Sequence, residues 1–513
     1  MINYTPQNQL SLDLFKHPFK TDLNPKNRWV ELAALIPWDD IAEIYAKNLQ
    51  VDSGRKSIDI RAVIGAIIIK HKLGLDDRGT IMMIQENPYL QYFCGLSSFT
   101  HNPIFDSSLF VDIRKRLGNK EFDKFNRIII EKSERIKPHQ SRIKNNSSKS
   151  KENNNDKDDG SSPLPNKGTM KVDATIADQE ITFPTDLKLL NTSRENLERI
   201  IDLLHVPELD GAKPRDYRRV ARKAYLTASK KKRKSKKQIR KAIKSQLQYI
   251  SRDLRIIDKL LEDTNRIKRL NERDQELLAV IRVVYEQQKY MYDNKTHKCD
   301  NRIVNIFQPY VRPMVRGKDK SKVEFGSKIN ISLVNGFAWI DRLSWDAYNE
   351  AGDLRKQVEN YFQIYGRYPK TFLCDQIYLN RENRKFLKEK GIEIIGKPLG
   401  RPPKQEPLTP SQKYRKKKKA AERNQVEGKF GQGKRAYGLN NIMARRSDTS
   451  ESMIGAIIFV MNLTQLHKIA GEYICYFIML CKKVIKFFIT RAKIPFQYNW
   501  SDKNTNKAIY GAI

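Results

Sequence analysis

The chain has 513 residues, 39% of them hydrophobic, so it is long enough for about two to four domains with buried cores. Its 97 Lys and Arg against 59 Asp and Glu give a formal charge of +38, which calls for a polyanionic partner: nucleic acid first, an anionic membrane surface second, a ribosome-like assembly third. Five scattered cysteines without a Cys-x-x-Cys pair, and seven dispersed histidines, argue against a disulfide framework and a zinc site and for a reducing, cytoplasmic compartment.

The first segment, "MINYTPQNQLSLDLFKHPFK", has no apolar run after its charges and does not read as a signal peptide. Helical periodicity follows over 28–48 and over 57–73, the second ended by Gly74 as a C-cap. A further helix is predicted through "DRGTIMMIQENPYLQYF", and another in "IFDSSLFVDIRKRLG", with Asp106 or Ser107 as N-cap and Arg114, Lys115 and Arg116 near its end. These elements predict a helical N-terminal domain over 1–137, whose basic helix ends suit docking on DNA, although any small bundle has the same pattern. Residues 138–168 are polar and aperiodic and read as a flexible linker.

A mostly apolar strand, "MKVDATIA", carries Asp173 in its middle. From about 193 to 300 the pattern is helical, a hairpin or short coiled-coil arm, and ten of the fifteen residues 230–244 are Lys or Arg. Such a density is either a solvated helix face or a surface that tracks phosphates; self-repulsion among ten like charges favours the second. Strand signals return in "KSKVEFGSKINISLVNGFAWIDRLSWDAY", with a turn at Asn335-Gly336. Then come a helix in "NEAGDLRKQVENYFQIYG", a strand in "KTFLCDQIY" with Asp375 at its exit, a helix in "NRENRKFLKEKG" and a strand in "IEIIGKP". This alternation predicts an α/β fold with a partly parallel sheet. The apolar stretch "YICYFIMLCKKVIKFFI", 473–489, is interrupted by Lys482, Lys483 and Lys486, so a packed or amphipathic helix is expected there rather than a membrane span.

Three carboxylates stand out. Asp173 and Asp375 lie on strands of one α/β sheet, where catalytic groups gather at carboxyl ends, though an Asp at a strand end also commonly caps the next helix. Glu427 sits in "KKKKAAERNQVEGKFGQGKRAYGLNN", where helical spacing places Arg423, Glu427 and Lys434 on one face. An exposed ion pair alone does not account for Gly428, Gly431 and Gly433 inside a helix; glycine permits close approach of a polynucleotide. The run "GKFGQGKR" nearly matches a phosphate loop but has Arg435 where a hydroxyl must hold Mg²⁺, and no apolar strand precedes it. Acids amid cations are better explained by two Mg²⁺ or Mn²⁺ ions held by oxygen ligands, with the cations holding nucleic acid.

The blocks "KVDATIADQEITFPTDLKLLN", "FLCDQIYLNRENRKFLKEKGI" and "RNQVEGKFGQGKRAYGL" resemble, in that order, the three catalytic blocks of bacterial insertion-sequence DDE transposases. The last resembles the signature Tyr-x2-Arg-x3-Glu-x6-Lys, met by Arg423, Glu427 and Lys434, while Ala420 stands at the Tyr position. "RAVIGAIIIKHKLGLDDRGT" and "PIFDSSLFVDIRKRLG" resemble the group's N-terminal DNA-binding region; in "LGRPPK", Arg401 and Lys404 are candidates for a minor-groove contact, or for a plain loop.

The resemblance implies a ribonuclease-H-like mixed sheet flanked by helices over 169–470, with Asp173 on the first strand, Asp375 on the fourth and Glu427 on a following helix. The long helical insertion accounts for the gap between the two aspartates, and 471–513 is a tail of no assigned role. The implied protein binds double-stranded DNA, its own terminal inverted repeats and a target, as a homodimer without a membrane partner. Asp173, Asp375 and Glu427 would ligate two Mg²⁺ or Mn²⁺, and Arg423, Lys434 and Arg435 would contact DNA. Cleavage and strand transfer are the implied reaction; a decayed DNA-binding relative and a hydrolysis-only nuclease are the alternatives.

Overall fold

The computed structural model describes residues 3–4, 6, 15–17, 22–49, 57–136, 165–315, 323–395 and 409–491. The predicted linker falls almost wholly outside these, as do Arg401 and Lys404.

The N-terminal region is helical: α1 (Arg28–Leu35), α2 (Trp38–Ala46), α3 (Ile60–Leu73), α4 (Asp77–Glu86), α5 (Pro88–Phe93), α6 (Leu109–Arg116) and α7 (Asn119–Ile136). Two expected single helices are each broken in two. Pro37 ends the run of α1, and Pro88 takes the first position of α5, because proline has no N–H to continue the preceding helix. Asn87 caps α5 by accepting from the Tyr89 and Leu90 amides. Gly74 ends α3 as expected, in the left-handed region at φ 67°. The cap of α6 differs from expectation: it is Ser108, whose amide donates to the Asp106 carboxylate.

After β1 (Thr169–Asp178) come α8 (Asp186–Leu204), a single turn at Pro207–Asp210, α9 (Arg218–Lys230), α10 (Lys236–Leu260) and α11 (Glu272–Asp293). Helices α8, α10 and α11 bury Leu190, Leu197, Ile250, Ile257 and Ile281 in a core of their own. Ser235 and Gln238 form a reciprocal capping box at the start of α10.

The remaining elements are β2 (Arg312–Val315), β3 (Val323–Val334), β4 (Phe337–Ser344), α12 (Leu354–Tyr365), β5 (Thr371–Leu373), α13 (Arg381–Glu389), β6 (Glu393–Ile395), α14 (Pro410–Ala421), α15 (Asn424–Ala436) and α16 (Ser447–Arg491). The sheet is mixed. β1 runs antiparallel to β3 and parallel to β5, and β5 runs parallel to β6. The far edge of β3 pairs first with β2 and then with β4. β3 and β4 join at Asn335-Gly336, both with positive φ (53° and 86°), the conformation a two-residue hairpin requires. The short strand β2 has no counterpart in the sequence reading.

Helix α16 unites the molecule. Its Ser447–Glu472 portion is long and apolar enough to cross a membrane by length and composition, but 72% of its most apolar window is buried inside the protein. Ile457, Phe459 and Val460 share one continuous core with Phe122 and Phe125 of α7 and with Phe337 of β4. The fully buried Asn462 donates to Asn126 Oδ1 at 2.9 Å and to the Ala338 carbonyl at 2.6 Å, and accepts from the Ala338 amide at 2.9 Å. The boundary expected at 470 lies within this helix, whose backbone continues to Arg491 through the apolar stretch 473–489.

Candidate carboxylate site

The aspartates meet through strand register. β1 and β5 pair in parallel with Lys171 opposite Leu373. Asp173 and Asp375 each lie two residues beyond that last pair, and the negative field of Asp375 reaches Asp173. Asp375 is exposed just past β5, and its carboxylate accepts from the Gln376 amide at 2.9 Å as the cap of a short 3₁₀ turn, Gln376–Tyr378.

That turn is anchored from below. The buried Tyr378 hydroxyl donates to Asn330 Oδ1 at 2.8 Å, and Asn383 donates to the Tyr378 carbonyl at 2.8 Å. Asn330 also donates to Asp353 and accepts from Gln357, both at 3.0 Å. Gln357 reaches the fully buried Asp341, whose carboxyl burial pushes up to about 6 while bonds from Ser332, Asn360, Gln357 and Trp339 pull it back. A buried network of this kind, in which only Gln357 Oε1 lacks a partner among the described residues, holds the turn that presents Asp375.

Asp173 is half-buried, with its side chain 18% exposed. Burial raises its carboxyl to about 6; the Ala174 amide and Arg423 oppose the shift, and the negative fields of Glu350 and Asp375 add to it. Glu427 follows Val426 on α15, whose buried face carries Val426, Lys429, Phe430 and Gly433. Lys429 donates to the Gly336 carbonyl at 3.0 Å, tying α15 to the β3–β4 turn. The expected Arg423–Glu427 pair forms, at 2.9 Å, and the same guanidinium lies 3.9 Å from Asp173. One cation therefore bridges two of the three acids.

Lys434 lies on that face but reaches β1, where it pairs with Asp178 at 3.0 Å. Arg435 is exposed and its Nε donates to the Gly431 carbonyl. The glycines divide. A side chain at Gly428 would meet open space, whereas one at Gly433 would press on Leu439 at 3.2 Å and Met461 at 3.3 Å. Gly433 is thus explained by helix packing rather than by an approaching polynucleotide. The sequence reading did not include Glu350. It pairs with Lys328 at 2.8 Å and adds negative field to Asp173, but in the run "SWDAYNEAGD" nothing sets it apart from its acidic neighbours.

Hard carboxylate oxygens suit a divalent cation, and a desolvated Asp173 among other acids gains from a countercharge. Arg423 supplies one now. Among the described residues, no three His, Cys, Asp or Glu side chains are gathered closely enough to hold a metal ion. Carboxylate oxygens are the ligand type that Mg²⁺ and Mn²⁺ take, and the Arg423 guanidinium now spans Asp173 and Glu427.

The raised carboxyl has a consequence for stability. Its folded value lies above the ordinary 3.8, so the native state holds the extra proton, and ionisation lowers stability as pH rises through about 6. Without divalent cations, Asp173→Asn is expected to raise the melting temperature at pH 7.5, with the gain fading below about pH 4. Equal melting curves at both pH values would contradict the buried-acid assignment.

Two stretches of the chain match known protein families. Residues 372–464, containing Asp375 and Glu427, match the family model described as Transposase DDE domain. Residues 17–116 match the Transposase domain (DUF772) model. The chain is 34% identical over 106 residues, 21% of its length, to the uncharacterized protein ORF8 in the nfe locus of Rhizobium meliloti, and spans about half (51%) of that relative. No solved structure matches. One transposase-domain match lies in the N-terminal helical region and another, to a transposase DDE domain, runs from β5 into α16; over these two stretches the chain is similar to transposases.

Proposed function

We propose that this protein binds the terminal inverted repeats of its own insertion sequence, cleaves the DNA at their ends and joins the freed 3′ ends to target DNA. The strand order β4-β3-β1-β5-β6, with β1 antiparallel to β3 and parallel to β5, supports a ribonuclease-H-like catalytic sheet. The observation that carries the proposal is the parallel β1–β5 register, with Asp173 and Asp375 each two residues beyond its last pair, together with Arg423 spanning Asp173 and Glu427.

Asp173, Asp375 and Glu427 would hold two divalent cations, Mg²⁺ or Mn²⁺. When bound, such a pair activates water and stabilises the charge on the leaving oxygen in an in-line displacement. The chain's own groups do the rest. Asp173, raised to about 6 by burial, is largely ionised at neutral pH, and a cationic partner would offset its desolvated charge. The network below Tyr378 keeps Asp375 at the strand exit. Arg423, once released from the acids, is placed to neutralise a phosphate beside them, and Arg435 faces solvent beside Gly431. Lys434 is held by Asp178 and acts on DNA through that pair or after leaving it. Water attacks the phosphodiester to free a 3′-hydroxyl, which then attacks target DNA, so no covalent protein–DNA link is needed. Two ends must be processed together, which favours a homodimer acting on chromosomal DNA in the cytoplasm.

The test is a supercoiled donor plasmid carrying both element ends, incubated with Mg²⁺, with Mn²⁺ or with chelator. Cleaved ends and joined products are expected with either metal and none with chelator. Metal-independent cleavage would overturn the two-metal reading, and cleavage without joining would reduce the protein to a nuclease.

A further inference from the structure

The insertion carries a charged face that the carboxylate site does not use. On α10, Lys237, Lys241, Lys244, Arg252, Arg255 and Lys259 recur at steps of three, four and eight residues, and all but the half-buried Arg252 are exposed. At about 100° per residue these six fall within one narrow stripe. Leu247, Ile250, Leu254 and Ile257 lie opposite, in the insertion's own core. The stripe runs 22 residues, about 33 Å at ~1.5 Å per residue, close to the ~34 Å of one turn of duplex DNA.

Two features separate this stripe from an ordinary solvated face. Several arginines elsewhere in the insertion are neutralised: Arg199 pairs with Asp274 at 2.5 Å, Arg266 with Asp210 at 2.7 Å, and Arg282 with Asp258. Among the described residues, Lys237, Lys241, Lys244, Arg252 and Arg255 have no carboxylate within ion-pair distance. Secondly, aromatic rings hold the cations in place. Arg252 lies over Tyr217 at 4.4 Å, and Arg240, one turn from the start of the helix, lies over Tyr292 at 3.9 Å. Beside them opens a cleft of about 650 Å³, lined in part by Lys244, Arg255, Tyr285 and Lys289.

The ring geometry bears on how a nucleic acid would be held. A single strand is gripped by stacking bases on bare aromatic faces, and one face of Tyr217 and one of Tyr292 already carry a guanidinium group. The donor edge of each guanidinium and the lysine ammoniums remain available and suit phosphate oxygens.

We infer that the outward face of α10, from Lys237 to Lys259, is a separate DNA-binding surface that tracks the phosphates of duplex DNA over about one helical turn, independent of sequence. The choice of duplex DNA rests on the transposase reading; the charge and the geometry do not.

The test is fluorescence anisotropy of the full-length protein with a duplex of about 30 base pairs of arbitrary sequence, and with a single strand of the same length, across a salt series. The triple variant Lys241→Gln/Lys244→Gln/Arg255→Gln is expected to bind the duplex at least about tenfold more weakly, with the salt slope reduced by roughly 2.7 (about 0.9 per contact). A charge-matched control, Lys356→Gln/Lys385→Gln/Lys388→Gln, is expected to keep the wild-type slope, and matching melting curves establish that both variants are folded. A wild-type slope in the stripe variant, an equal loss in the control, or a greater loss on the single strand than on the duplex would overturn the inference. Donor cleavage, measured in parallel, tests the carboxylate site separately: wild-type protein that fails to cleave but shows the stripe effect loses only the catalytic reading.

Discussion

Asp375→Asn is expected to abolish metal-dependent cleavage of donor DNA, by on the order of 10³-fold or more, while leaving binding to element ends intact. Asparagine has the same shape and keeps a carbonyl oxygen, so it can still accept from the Gln376 amide and cap the turn. The bond from Tyr378 to Asn330 and the network beneath it do not involve the Asp375 carboxylate and should persist. What is lost is negative charge at the exit of β5. Loss of a charged ligand to a divalent ion removes several kcal/mol of transition-state stabilisation. Nicked and linearised products from a supercoiled donor give the rate, and a band shift on an end-containing duplex gives binding. A variant that cleaves within about tenfold of wild type would remove Asp375 from the site; one that neither binds nor melts normally would mark it as structural.

Asn462→Leu is expected to cost about 3–5 kcal/mol of folding stability, read from urea unfolding. Leucine keeps the branching of asparagine, but its two methyl groups are bulkier than the amide, so some overpacking adds to the cost. The polar partners do not adapt. Asn126 Oδ1 on α7 and the Ala338 amide and carbonyl on β4 all lose a buried bond, at about 1–3 kcal/mol for each group left unsatisfied. Because Asn462 joins the N-terminal helices to the sheet, the loss should fall on both together and leave one cooperative transition at lower urea. A change below about 1 kcal/mol would show that water or relaxed geometry satisfies these groups without Asn462.

Much of the site was legible in the sequence because its signals are local. An acid inside an apolar strand marked Asp173, and an acid at the exit of a short one marked Asp375. Asn335-Gly336 announced the hairpin through the positive φ that both residues adopt. The i,i+4 spacing of Arg423 and Glu427 became an ion pair because Arg423, the residue before α15, already has helical backbone angles. Other features depend on tertiary neighbours and leave no local trace. The pairing of Lys434 with Asp178, the contribution of Glu350 to the field at Asp173 and the packing duty of Gly433 against Met461 each join distant parts of the chain. So does the shared core around α16, whose apolar length reads equally well as a membrane span or a buried helix. Helix boundaries were misjudged where periodicity continued across Pro37 and Pro88, since apolar spacing is blind to the missing amide.

The account stands on Asp173, Asp375 and Glu427 acting together on divalent ions. The most direct measurement is anomalous diffraction from crystals of the protein with end-containing DNA and Mn²⁺. Two peaks are expected, each within about 2.5 Å of carboxylate oxygens from these three residues, with Arg423 turned toward a phosphate. Mn²⁺ bound to other side chains, with Arg423 still bridging Asp173 and Glu427 in the DNA complex, would contradict it.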